Sequence, residues 1–221
     1  MFETKYSKFL TVLLIIIIVA VVGLLGYLGY NYYKNYKINN DSDQYVSTFV
    51  EQVGDENTTS TNNADANSIV EGIESADTTS SGNNKKTYKG FNVIGTIEIP
   101  KTNLKYPILE DPPTVKKLET AVAAVYPQHA EVNKPGNIVI VGHNYRNGLF
   151  FSNNKKLSNG DKIYITGLDG NKVTYVVYSM FEASENDTSF YNRDTDGAIE
   201  ITLSTCTDDS SARTIIQAKA E

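Results

Sequence analysis

The hydrophobic positions of this chain fall into three regimes. From Phe9 to Tyr30 they are almost continuous. A bilayer-spanning helix needs about 20 such residues, so the run predicts one transmembrane anchor over 9–30. A cleaved signal peptide has a shorter apolar region and ends in a small-x-small site. This run is longer, and it exits into Gly29-Tyr30-Asn31-Tyr32-Tyr33-Lys34. Tyr27, Tyr30, Tyr32, Tyr33 and Tyr36 are spaced like an interfacial aromatic belt. Lys5 and Lys8 balance Lys34 and Lys37 across the span, so flanking charge barely sets orientation. The large polar part follows the span. Residues 1–8 are therefore expected to be a short cytoplasmic N-terminus, with the remainder outside.

The second regime, residues 31–86, is poor in apolar residues and rich in Asn, Ser, Thr, Asp and Glu. Stretches such as Thr78-Thr79-Ser80-Ser81-Gly82-Asn83-Asn84 cannot bury enough apolar surface to offset chain entropy. The expectation is a disordered, acidic linker. Two amphipathic patches interrupt it, Tyr45 to Val50 and Ile69 to Ile73, each able to lie on a neighbouring domain as a short helix or strand.

The third regime, 87–221, reads as short strands separated by turn residues. Phe91 to Ile99 and Leu104 to Leu109 end at prolines or at Asp111-Pro112-Pro113. Val115, Leu118 and Val122 have helical spacing, which predicts a short helix over 114–124. Asn137-Ile138-Val139-Ile140-Val141 is a continuous apolar run, expected to be buried on both faces. Asp161 to Leu168 and Lys172 to Phe181 form a hairpin across Asp169-Gly170. Phe150 to Leu157 reads as a turn or short helix. No strand–long helix alternation is present, so the fold class is mostly β, a barrel or sandwich of seven or eight strands. This domain is expected to fold without the anchor or linker.

The final pair of strands carries the candidate chemistry. Ile199, Ile201 and Leu203 alternate with Glu200, Thr202 and Ser204, and Cys206, the only cysteine, continues the polar set at the strand end. A thiol on that face can meet a substrate. Arg213 opens the next strand, and an antiparallel hairpin would set it opposite Cys206. His143 follows the buried strand behind Gly142, at the rim of the sheet, whereas His129 sits in a loop between Pro127 and Pro135 and reads as solvated. A thiolate is the nucleophilic form of cysteine. An imidazole can hold its proton and give it to a leaving amine. A fixed arginine can stabilise the oxyanion of a tetrahedral intermediate. The order His, Cys, Arg excludes the papain arrangement, and Ser204-Thr205-Cys206 in a β domain differs from the caspase context. The net charge of -6 argues against nucleic acid as a partner.

Thr202-Leu203-Ser204-Thr205-Cys206, Gly142-His143-Asn144 and Arg213 together resemble a sortase, over about Phe91 to Ala220. The resemblance implies an eight-stranded β-barrel with short helices. It implies Cys206 as nucleophile, His143 as acid/base and Arg213 as stabiliser of the oxyanion or substrate, with Ser204, Thr205 and Asn144 contacting substrate. It also implies a transpeptidase that cleaves a sorting signal of Leu-Pro-x-Thr-Gly type between Thr and Gly. The acyl group would pass to an amine of a peptidoglycan precursor or pilin, on the cell-wall side of a Gram-positive-type membrane. Ser204 is similar to the class B motif. Residues 186–197 are too short for that class's long helix, and the compact domain with one N-terminal anchor looks more like class A or D. Two alternatives stay open: an inactive or regulatory binding module on the same fold, and a hydrolytic cysteine peptidase. No cofactor is implied. Glu182, Glu185, Asp187, Asp194 and Asp196 form a calcium candidate, because hard oxygen ligands suit that ion; a solvated acidic loop is the simpler reading.

Overall fold

The runs after Thr87 expected to be strands all join one sheet. The computed structural model describes residues 3–58, 86–125 and 131–221. The part of the expected linker over 59–85, including the patch at Ile69, and His129 lie outside the described residues. Among the described residues two α-helices, α1 (Glu3–Thr58) and α2 (Val115–Leu118), accompany nine strands. These are β1 (Thr87–Tyr88), β2 (Phe91–Ile99), β3 (Leu104–Leu109), β4 (Val122–Val125), β5 (Gly136–Val141), β6 (Lys162–Gly167), β7 (Lys172–Ala183), β8 (Ile199–Cys206) and β9 (Arg213–Ala220).

The strand order is β1-β2-β3-β4-β5-β8-β9-β7-β6, and β2 pairs again with β6. That last pairing closes eight strands, β2 to β9, into the expected barrel, while two-residue β1 extends β2 as a short hairpin. Closure requires a glycine. Gly95 pairs with Gly167, and a β-carbon on Gly95 would lie 2.6 Å from the carbonyl oxygen of Thr166. Two pairings are parallel, β3 with β4 and β5 with β8, and the rest are antiparallel. Ile97, Ile108, Ile140, Ile163, Ile165, Leu203 and Ile216 are all buried in the core.

Three expectations change. The helix expected over 114–124 stops at Leu118, and Val122 belongs to β4. Val122 pairs with Ile108, and sheet burial outweighs the local helical spacing. The alternation in β8 does not separate buried from exposed faces. Glu200, Thr202 and Ser204 are all buried, because the β7–β8 connection covers that side. Its Phe190 packs with Val139, Ala183 and Ile215. Its backbone is bound through Asn137, whose amide donates to the Phe190 and Tyr191 carbonyls at 3.0 and 3.2 Å. Thr202 donates to Asn137 Oδ1 at 2.8 Å, and Arg193 pairs with Glu200. Asn137, Thr202 and Glu200 beneath the cover thus have partners, which makes their burial tolerable.

The third change concerns the expected linker. Residues 31–58 are helical, as the continuation of α1. The chain divides into two compact units, one ending at Asp41 and one spanning Ser42–Glu221. In the first, the apolar side chains from Phe9 to Leu28 are exposed, and the helix is long and apolar enough to cross a membrane by length and composition. In the second, Ser42, Val46, Phe49 and Val53 are buried. Their spacing of four, three and four residues draws one stripe along the helix. Tyr45 meets Tyr88 of β1 edge-on at 4.8 Å, Ser42 Oγ lies 3.2 Å from Tyr88 Oη, and Lys86 donates to Gln52 at 3.3 Å. Burial pushes the Tyr45 hydroxyl up to about 12. The patch expected over Tyr45 to Val50 is thus part of this stripe, which extends beyond it to Ser42 and Val53.

A chain beginning at Ser42 should therefore melt well above one beginning at Thr87. In the longer chain Phe49→Ala should cost about 3 kcal/mol, the low end for truncating a buried Phe. Equal melting temperatures for the two chains, measured by circular dichroism, would show that the stripe contributes nothing.

Candidate active site

The geometry of the site follows from two strand pairings. In the parallel β5–β8 pair, Val141 lies opposite Ser204. His143 is two residues beyond Val141 and Cys206 two beyond Ser204, so the register brings both to the same end of the sheet. In the antiparallel β8–β9 pair, Cys206 lies opposite Arg213. Residues two apart along a strand share a face. Cys206 and Arg213 therefore continue the face of Ser204 and Ile215, while His143, just past the end of β5, lies close enough to Arg213 to feel its charge.

Cys206 is half-buried and free of any disulfide. The Arg213 guanidinium donates from Nη1 to its sulfur, which sets a fixed positive charge beside the thiol. His143 is also half-buried. Burial holds its imidazole below the ordinary histidine range, Glu119 opposes that shift, and the Arg213 charge adds to it. Gly142 is what lets His143 reach this position. A β-carbon there would fall 2.9 Å from the Phe151 ring and 3.0 Å from Val122, so only glycine passes between them without displacing a neighbour. The Tyr145 ring then lies tilted against His143, with centroids 4.7 Å apart and 30° between planes.

The other expected contact residues separate. Ser204 is buried beneath the β7–β8 connection. Thr205 points the other way, is buried, and its hydroxyl finds no protein partner. It lines a cavity of about 310 Å³ with Asn144, Phe151, Lys155 and Glu182, which reaches Cys206 but is not lined by His143 or Arg213. Asn144 directs its amide into the protein, to the Cys206 carbonyl at 3.0 Å and to Asp208 at 2.9 Å.

The acidic residues around the β7–β8 connection do not converge. Among the described residues no three His, Cys, Asp or Glu side chains are grouped as a metal site would require. Asp187 instead accepts from the Ser189 amide at 2.8 Å, and Asp194 from the Asp196 amide at 2.9 Å. Sequence reasoning missed Glu119, Tyr145 and Asp208. Tyr145 could have been noticed as the near neighbour of His143. Glu119 arrives from the far side of α2, with no local signal.

A family model described as Sortase domain matches residues 97–221, more than half of the chain. A sortase A of Bacillus anthracis is 34% identical over 127 residues, which cover 56% of this chain and 58% of that protein. The chain thus spans little more than half the length of that relative. The solved structure of a Clostridium perfringens sortase D5 transpeptidase is 26% identical. It superposes with a TM-score of 0.56 over 82% of this chain and 99% of its own. A sortase C-1 from Actinomyces oris, 24% identical, shares the fold with a TM-score of 0.53 over 58% of this chain and 72% of its own. With a closed eight-stranded barrel that carries Cys206, His143 and Arg213 at one sheet end, and a family match running to its last strand, the chain belongs to the sortase family.

Proposed function

We propose that this protein is a membrane-anchored cysteine transpeptidase acting on surface proteins that bear a C-terminal sorting motif of Leu-Pro-x-Thr-Gly type. The contact between Arg213 and the Cys206 sulfur, with His143 brought level by the adjacent parallel strand, carries this reading. The Cys206 thiolate attacks the carbonyl carbon of the motif's Thr. The tetrahedral oxyanion forms and collapses, the bond to Gly breaks, and His143 gives its proton to the leaving amine. A cell-wall or pilin amine then attacks the thioester, loses a proton to His143, and displaces the thiolate. Arg213 compensates negative charge in both half-reactions. The helix over 9–30 would hold the enzyme in the membrane, with the barrel on the cell-wall side.

A peptide library of sorting motifs, incubated with and without triglycine and read by mass spectrometry, tests the reading. The expected product is a new amide to triglycine at the Thr carbonyl. Hydrolysis alone, unaffected by the amine, would mean a peptidase. No cleavage together with sluggish Cys206 alkylation would mean a binding module.

Cys206→Ala should abolish turnover and leave the melting temperature nearly unchanged. His143→Ala should lower kcat/KM by about 10²- to 10⁴-fold, the usual contribution of a general acid–base. Arg213→Lys should also be severe, because a planar fork with several donors becomes a single point charge. Substantial turnover by Cys206→Ala would overturn the mechanism.

The pH dependence has a definite sign. Catalysis needs the thiolate together with the imidazolium. Lowering the imidazole's proton affinity by burial moves the acid limb of kcat/KM below about 6.5, the ordinary histidine value. It also shrinks the population carrying both charges. The profile should be bell-shaped, its optimum neutral to mildly alkaline, with slow turnover. Glu119→Gln removes the charge that favours imidazolium, so it should move the acid limb further down and lower the maximum. A rise that continues to pH 10 would show that no protonated group is needed.

A further inference from the structure

The β5–β8 ladder ends one rung past its last paired residues, where the Gly142 amide donates to the Ser204 carbonyl at 3.2 Å. The next rung would join residue 144 to the Cys206 carbonyl. The backbone cannot supply it, because the chain has turned away. The Phe151 amide now donates to the His143 carbonyl at 3.1 Å, and Asn144 is bridged to Phe150. The Asn144 side chain takes over instead, and its Nδ2 donates to that same Cys206 carbonyl at 3.0 Å. The second Nδ2 hydrogen goes to Asp208 Oδ1 at 2.9 Å, in the loop between β8 and β9, and Asp208 is paired with Lys155. Asn144 Oδ1 is also occupied, accepting from the Arg146 amide at 3.1 Å. Both donors and the acceptor of the side chain are thus engaged by protein groups.

We propose that Asn144 is a positioning residue, the side-chain rung that holds the strand end of Cys206 against the strand end of His143, with Asp208 as its second anchor. The inference rests on the cysteine chemistry proposed above. Without this rung, the departure of the β5 backbone at Gly142 would leave the last residues of β8 tied to β9 alone. Cys206 could then shift relative to His143 while keeping its contact with Arg213. A misplacement on the order of 1 Å can cost about 10²-fold in rate. The Asp208–Lys155 pair is about half exposed on both sides, so its own electrostatic value is small. Its role here is to hold the Asp208 acceptor in place.

The test compares Asn144→Ala, Asn144→Asp, Asp208→Ala and Asp208→Asn in the full chain. The readouts are kcat and KM with a sorting-motif peptide, the iodoacetamide labelling rate of Cys206, and the melting temperature. Asn144→Ala should lower kcat by about 10- to 100-fold with KM nearly unchanged, and should alter the labelling rate. Asn144→Asp should be worse, since it sets a carboxylate against the Cys206 carbonyl and Asp208. Asp208→Asn, which keeps an acceptor for the Asn144 amide, should recover most of what Asp208→Ala loses. Asn144→Ala with kcat and labelling within about twofold of the parent would overturn the proposal, as would losses that merely follow the melting temperature. If the Asn144 variants fail to fold, the two Asp208 variants decide, because that side chain is exposed. If the parent cleaves no sorting-motif peptide, the proposed function fails, while the labelling rates still decide the role of Asn144.

Discussion

The constraint on which this site depends is the register of one parallel strand pair. With Val141 opposite Ser204, His143 just past the end of β5 and Cys206 at the end of β8 come to the same end of the sheet. A slip of one residue would turn one of the two side chains to the opposite face. The register is held from both sides. Ile138, Ile140, Ile201 and Leu203 are buried in the barrel core. On the other face, Asn137 ties Thr202, Phe190, Tyr191 and Arg193 into one network. Apolar burial supplies the driving force, while the buried amide specifies position, since any slip would leave its polar atoms unpaired.

Barrel closure adds a second requirement. β9 must lie beside β8 to present Arg213 to the Cys206 sulfur, and its other edge is fixed by β7, where Ala183 is paired with Arg213. The chain from β7 to β8 then has to cross the sheet, and it covers the outer face as it does so. The cover stops short of the last residues of β8, so Cys206 is half-buried where Ser204 is buried. Accessibility of the thiol is therefore a property of where the covering segment ends.

The helical segment that follows the apolar span is part of the same economy of surfaces. Tyr45 and Ser42 meet Tyr88 of the β1 hairpin, and Val46, Phe49 and Val53 of the same helical stretch are buried. Residues 42–58 thus belong structurally to the barrel unit. The compact unit that contains the barrel begins at Ser42.

Much of this was legible in the chain. Period-two alternation and turn residues located most of the strands, because a half-buried strand must alternate and a tight turn needs particular residues. The unusual combination of one cysteine, an arginine seven residues on and a histidine behind a glycine pointed to the candidate site, since nucleophilic catalysis uses such side chains. A long apolar run marked the membrane-spanning candidate by length alone. What local pattern could not decide was which faces are covered. The polar residues of β8 read as exposed and are buried, because their partners come from Asn137, Arg193 and the β7–β8 connection, all distant in sequence. Val122 read as helical and is a strand residue, because its neighbour is Ile108. The stripe on residues 42–53 and the Asn144 rung exist only once another element supplies the surface or the carbonyl they meet. Propensity and chemistry are written residue by residue, whereas burial and pairing belong to contacts between segments that only the closed barrel brings together.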